Sequence, residues 1–509
     1  MSPIETYAQQ TPDRVAYYMA PSGQAVTWRE LELRSRKCAA ALMATGLSVG
    51  DGIAVFLENH VRYFEILWAA HRIGLYYTTI SRHLKAEEVA YIVRDSEAKT
   101  LFCSDATLND VDGSALHDLA VRRVIVGGSQ PGFSTYEAWL AQVPDDVQLP
   151  DTPEGRDFSY SSGTTGLPKG IKRALGAKTA YDTTRTNYKE FDTNSVYLST
   201  APFYHTAPVR WNMSAMRAGA TCVLLEKFDP VDALEAIQRY RVTHSQWVPT
   251  MFVRLLRLDP AQRAKYDLSS MAKVIHAAAP CPVPVKEEMI EWLGPIVYEY
   301  YGGTELVGRT SLSSEEWLTH KGSVGKPEFG AVHIVGEGGK ELPVGETGVV
   351  YFSSASPFVY HNDPEKTRQA FNENGWGTYG DIGHVDAEGY LYLTDRLANT
   401  IVSGGVNIYP QEAENVLMTH PTVFDVAVVG VPNQEFGEEV KAVVQLHEPG
   451  LASPELAQAL IALCRSRISA VKCPRTVDFV EALPRTETGK LLKRLVKASY
   501  WPTETRVGH

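Results

Sequence analysis

Between Tyr160 and Gly170 the chain reads YSSGTTGLPKG, a run in which glycines, hydroxyls and one lysine crowd together as a bound polyphosphate requires. Gly163 and Gly166 let backbone N–H groups turn toward an anion, Ser161, Ser162, Thr164 and Thr165 add hydroxyl donors, and Lys169 brings a mobile positive charge. The spacing is not that of the commonest phosphate loop, because Lys169 is followed by Gly170 where that loop requires Ser or Thr. A flexible linker has a similar composition, but here a Pro-Lys-Gly stop gives way at Ile171 to ordinary globular sequence. The segment reads as a grip for a nucleotide or phosphate ester.

Four later segments carry chemistry of a compatible kind. YEYYGGTE, Tyr298 to Glu305, sets aromatic rings before a Gly302-Gly303 break and then Thr304 and Glu305. A carboxylate after such a turn suits Mg²⁺, which takes oxygen ligands and shares its shell with phosphates. YGDIG places Asp381 between glycines, where its carboxylate can accept two ribose hydroxyl hydrogen bonds. DRLANTIVSGGVNIYP contains Arg396 and the turn Ser403-Gly404-Gly405, and PRTETGKLLKR puts Lys490 in a loop ahead of a short basic helix.

These segments need a large scaffold. With 509 residues, 44% hydrophobic and 21% charged, the chain is globular and too long for one core. A net charge of −11 argues against a nucleic-acid surface, so anions must be held by local devices. No apolar run reaches the length of a membrane span and the N-terminus lacks a signal-peptide pattern, so the expectation is a cytoplasmic enzyme without integral membrane association. The six cysteines form no C-x-x-C pair, as reduced core thiols would not.

Apolar periodicity predicts helices at Trp28–Ala44, Phe64–Ile73 and Pro230–Tyr240, and strands in IAVFLEN and at Thr100–Cys103, Val124–Val126, Thr243–Val248 and Val274–His276. The alternation indicates an α/β fold with largely parallel, buried sheets. After about residue 325 short alternating strands suggest a small antiparallel β subdomain, and beyond Asp395 the pattern is that of a compact α+β unit. The expected division is 1–395 and 396–509.

Taken in order, YSSGTTGLPKG, YGGTE, YGDIG, the DR…SGG..IYP segment and the late PRT.TGK resemble the adenylate-forming superfamily of acyl-CoA synthetases, peptide-synthetase adenylation domains and firefly luciferase, along nearly the whole chain. The resemblance implies a large N-terminal domain of two α/β subdomains and a small β subdomain, with a mobile α+β C-terminal domain. It implies a two-step reaction: a carboxylate attacks the α-phosphate of MgATP to give an acyl adenylate and pyrophosphate, then a thiol displaces AMP. Ser161 to Gly166 would hold the β- and γ-phosphates, Thr164 and Glu305 the Mg²⁺, and Tyr301 would stack on adenine beside Ala278, Ala279 and Pro280. Asp381 and Arg396 would contact ribose. Lys490 would bridge carboxylate and α-phosphate, His205 would lie between acyl pocket and nucleotide, and Ser403 to Gly405 would pass the pantetheine arm of CoA. Trp211, Met213 and Met216 are candidates for the acyl wall or for ordinary core.

The chain departs from the family at Ala398, where Asp or Lys usually marks the pivot of the small domain. The expected acceptor is CoA, since no carrier domain is fused and the chain ends soon after the Lys490 segment. The expected substrate is a fatty, aryl or steroid-side-chain acid, and the expected assembly a homodimer. The competing readings are an enzyme that loads a carrier protein and a non-catalytic nucleotide-binding homologue.

Overall fold

The computed structural model describes residues 3–111, 116, 118–161, 168–176, 191–353, 357–404, 406–485 and 491–501. Its first layer is a parallel sheet in the order Ser134–Thr135, Arg122–Val126, Ala98–Ser104, Gly52–Phe56, Tyr76–Thr79, Arg156–Asp157. All five residues of Gly52–Phe56 are buried, which is why the strand reads as a continuous apolar run. The helix Trp28–Ala44 packs nearby and starts where the side chain of Thr27 accepts from the Glu30 N–H.

A second sheet has parallel strands in the order Val15–Ala20, Thr221–Leu225, Val196–Ser199, His244–Trp247, Lys273–His276, Val297–Gly302. The helix Pro230–Tyr240 feeds it, opening with Pro230 at its first turn and capped by Asp229, whose carboxylate accepts from the N–H groups of Val231 and Asp232.

The β-rich region is continuous with this sheet. From Val297–Gly302 the pairing runs antiparallel through Arg309–Leu312, Ser323–Phe329, Leu391–Arg396, Gly377–Val385, Gly348–Phe352 and Val332–Val335. One strand, Leu391–Arg396, crosses the expected domain division and ends on Arg396, opposite Asp381 in Gly377–Val385. A turn at Leu397–Asn399, which contains Ala398, then leads away.

Beyond that turn the long pair Val423–Asn433 and Gly437–Leu446 is flanked by Ile401–Ser403 and by the parallel strand Thr476–Val480. The helices Pro410–Leu417 and Pro454–Arg467 close a core around Leu417, Val428, Ala442, Val444 and Leu460. Among the described residues no helix is long and apolar enough to cross a membrane.

Candidate active site

The parallel strands Lys273–His276 and Val297–Gly302 deliver their C-terminal ends to one edge of the second sheet, the place where open α/β sheets bind ligands. Just past the first, Ala278 has a φ of 74°, a left-handed conformation that costs a non-glycine residue on the order of 1 kcal/mol and tends to mark functional turns. A cleft of about 2260 Å³ opens here, and Ala278, Ala279, Pro280, Tyr301, Gly302 and Asp381 line it, as does Arg396.

Asp381 organises the wall. Tyr301 donates its phenolic hydrogen to Asp381 Oδ2 at 2.5 Å, and Arg396 Nε lies 3.1 Å from Oδ1. Burial and the Asp381 charge push the Tyr301 phenol well above its ordinary range, so it stays a donor. The Asp381 charge in turn holds the Arg396 guanidinium above its usual value. The Tyr301 ring stands edge-on to Tyr379 with centroids 5.7 Å apart.

Glu305 accepts a hydrogen bond at Oε1 from Tyr360 at 2.8 Å. Gly303 is required: a Cβ there would stand 2.4 Å from the Tyr379 ring and 2.8 Å from Glu305 Oε2. Nearby Lys169 Nζ bonds Asp363 Oδ2 at 3.1 Å. Among the described residues no group of three or more His, Cys, Asp or Glu side chains could hold a metal. The single carboxylate of Glu305 fits Mg²⁺, which is commonly held by one or two carboxylates together with nucleotide oxygens.

His205 is the N-cap residue of the helix Thr206–Arg217, its ring 4.4 Å from that of Tyr204, which lines the cleft. Trp211, Met213 and Met216 are buried in the main core, and Met216 Sδ accepts the Trp68 indole N–H at 3.4 Å. They are core residues, although the Trp211 indole also reaches the Tyr300 hydroxyl at 3.3 Å.

Ser161 and Lys169 face one another across the paired strands Ser159–Ser161 and Lys169–Lys172. The expected ligands between them, Ser162, Gly163, Thr164, Thr165 and Gly166, lie outside the described residues, as do Gly405 and Lys490. The flanks of Lys490 are informative. Arg485 and Leu491 form an antiparallel bridge, and both line the cleft that holds Asp381 and Tyr301. Ser403 and Gly404 do not line it: Ser403 pairs with Gly437, and the Gly404 N–H bonds Phe436 O at 2.8 Å.

Sequence reasoning missed Tyr360, which holds Glu305, and Arg210, whose guanidinium joins Asp157 to the Thr304 carbonyl. Burial opposes the charge of Asp157, but Arg210 and Arg173 outweigh it and hold the carboxyl well below its usual range. The only sequence signal for Arg210 is a charge set between the apolar residues Val209 and Trp211.

A cleft at the carboxyl ends of parallel strands, walled by an Asp–Tyr–Arg set and faced by a second α+β unit, defines a two-domain nucleotide-dependent enzyme. The AMP-binding enzyme family matches residues 4–359, and the AMP-binding enzyme C-terminal domain matches residues 412–490. The chain belongs to this family of adenylate-forming ligases. It is 30% identical to the fatty acid–[acyl-carrier-protein] ligase ScoC of Streptomyces coeruleorubidus, over 98% of this chain and 96% of that protein. It is 32% identical to a feruloyl-CoA synthase of Amycolatopsis sp., over 94% of each. The crystal structure of ATP-bound MatB from Rhodopseudomonas palustris superposes with a TM-score of 0.83 at 26% identity, covering 98% of this chain and 99% of that one.

Proposed function

We propose that this protein is an ATP-dependent acid:CoA ligase that forms an acyl adenylate and then an acyl-CoA thioester, releasing pyrophosphate and AMP. The observation that carries the reading is the meeting, in one cleft, of the Asp381–Tyr301–Arg396 wall with Arg485 and Leu491, which flank the Lys490 segment. Tyr301 stacks on adenine beside Ala278 to Pro280, and Asp381 accepts the ribose hydroxyls with Arg396 alongside. Ser161 to Gly166 and Lys169 grip the terminal phosphates. Thr164 and Glu305 would hold Mg²⁺, which would supply charge neutralisation on the triphosphate.

The chemistry needs positioning and charge more than covalent help. Lys490 draws the substrate carboxylate and the α-phosphate together and neutralises their repulsion. Two unit charges about 4 Å apart interact by roughly 4 kcal/mol at an effective dielectric near 20, enough to matter greatly to the rate. The pyrophosphate leaves as the new acyl–phosphate bond forms. For the second half-reaction the small domain turns about Ala398, and the Ser403–Gly405 turn admits the pantetheine arm past His205. The thiol sulfur then bonds the acyl carbon as the bond to AMP breaks.

Likeness to feruloyl-CoA synthase supports CoA as acceptor and, within the proposed range of fatty, aryl and steroid-side-chain acids, an aryl acid. Likeness to ScoC supports a carrier-protein acceptor as the second reading. All six cysteines are free thiols, in keeping with a proposed cytoplasmic setting, and a homodimer is the proposed assembly. Carboxylate-dependent exchange of labelled pyrophosphate into ATP, across a panel of short, long-chain, aryl and bile-type acids, tests adenylation. Mass spectrometry with CoA against a phosphopantetheinylated carrier then identifies the acceptor. Failure of every acid would favour a non-catalytic nucleotide-binding protein.

A further inference from the structure

We propose that Arg210 is a positioning residue that clamps the Thr304–Glu305 turn to both feet of the phosphate loop. Its helix begins beside His205, and the guanidinium reaches across to Asp157, with Nη2 2.7 Å from Oδ2 and Nε 3.4 Å from Oδ1. The same Nη2 donates to the carbonyl oxygen of Thr304 at 3.2 Å. Asp157 ends an edge strand two residues before Ser159–Ser161, the strand that precedes the phosphate loop, and Arg173 follows the strand Lys169–Lys172 after it. Arg173 Nη2 bonds Asp157 Oδ1 at 3.2 Å, and the Ser159 hydroxyl bonds Oδ2 at 2.9 Å. One carboxylate therefore fixes the segments before and after the loop, and one arginine carries that fixed point to the turn bearing Thr304 and Glu305.

The electrostatics favour a role beyond packing. Asp157 and Arg173 are buried, and Arg210 is largely so, with its side chain 19% exposed. Arg210 and Arg173 both bond the Asp157 carboxylate and Arg156 adds a third positive charge nearby, leaving net positive charge in poorly solvated ground beside the Thr304 carbonyl. A triphosphate held by those two segments would be stabilised by that charge, while Asp381 and Arg396 lie on other strands and Tyr301 precedes the turn on the strand Val297–Gly302. The clamp should therefore act on the phosphates and spare the nucleoside. A plain structural staple would weaken every nucleotide alike.

This inference rests on the adenylating reading of the cleft, but its test needs no acid substrate. Calorimetric titration of the full-length wild type, Arg210→Met and Arg210→Lys with MgATP and, separately, with AMP reads the contrast. Loss of a charge-assisted hydrogen bond is expected to weaken MgATP by about tenfold in Arg210→Met, with AMP changed by less than about twofold. Arg210→Lys, able to reach Asp157 or Thr304 but not both, should fall between. Equal weakening of both nucleotides, or no change in either, overturns the clamp. If Arg210→Met does not fold, Arg210→Lys decides by the same contrast. Absence of pyrophosphate exchange in the wild type counts against the ligase alone, and a wild type that binds neither nucleotide overturns both.

Discussion

Tyr301 and Asp381 come from different strands, and the phenol of the first is bonded at 2.5 Å to the carboxylate of the second, whose other oxygen faces Arg396 at 3.1 Å. An ionised carboxylate offers about four acceptor sites, so Asp381 can serve these two partners and still receive ribose hydroxyls. Asp381→Ala should weaken AMP by more than about tenfold, because it removes those acceptors and leaves Arg396 without its countercharge. Tyr301→Phe keeps the ring and loses one hydrogen bond, so a change of about fivefold or less is expected. Equal losses in the two variants, measured by calorimetry, would contradict this division of roles.

The residues on either side of the Lys490 segment, Arg485 and Leu491, are bridged to one another and line the same cleft as Asp381. If the Lys490 charge acts on the reacting carboxylate and α-phosphate, Lys490→Ala should cut pyrophosphate exchange by roughly 10²–10³-fold. Thioester formation from a synthetic acyl adenylate should fall only a few-fold. Parallel loss of both half-reactions would remove Lys490 from the adenylation step and point to a structural role.

Local patterns were legible where the chain obeys one period. The helices Trp28–Ala44 and Pro230–Tyr240 start and stop as their apolar spacing, Thr27, Asp229 and Pro230 dictate. Asp381 and Arg396 were legible as separate motif residues, but their pairing follows from strand register. The Tyr360–Glu305 bond spans 55 residues and the Arg210–Thr304 bond 94, and such cross-element hydrogen bonds leave no periodic trace. For Trp211, Met213 and Met216 the apolar spacing was equally suited to core and to pocket, and all three are buried in the main core, Met216 against Trp68 and Trp211 against Phe191 and Tyr197.

The turn Leu397–Asn399, the proposed pivot, is stapled on one side by Asp395. Its Oδ1 accepts from Asn399 Nδ2 at 3.0 Å, while Oδ2 accepts from the Gln411 N–H at 2.8 Å, in the first turn of the helix Pro410–Leu417. Ala398 sits inside the turn so held and lines the cleft without a polar side chain of its own. Ala398→Lys would add a charge that can favour one domain arrangement over another. The expected result is a several-fold change in thioester formation with adenylation nearly unchanged, read by assaying the half-reactions separately. Equal effects on pyrophosphate exchange and on CoA ester yield would sink the idea.

Acid stability should depend on His71. Burial and the neighbouring Arg217 guanidinium push this imidazole down to about 4. Glu154, whose Oε2 lies 3.5 Å from the ring, pulls the other way, but it already binds Arg217 at 2.9 Å. The folded value is below the ordinary one near 6.5, so on acidification the unfolded chain takes up the proton first. The contribution is complete above pH of about 6.5 and is lost progressively down to about 4, by at most roughly 3 kcal/mol. Glu154, held at about 2 because His71 and Arg217 overcome its burial, extends the loss to still lower pH with the same sign. Urea midpoints of the wild type should therefore fall from pH 7 to 4.5. His71→Gln, which cannot titrate, should start less stable and show a shallower fall over that interval, and parallel curves would exclude His71 as the titrating group.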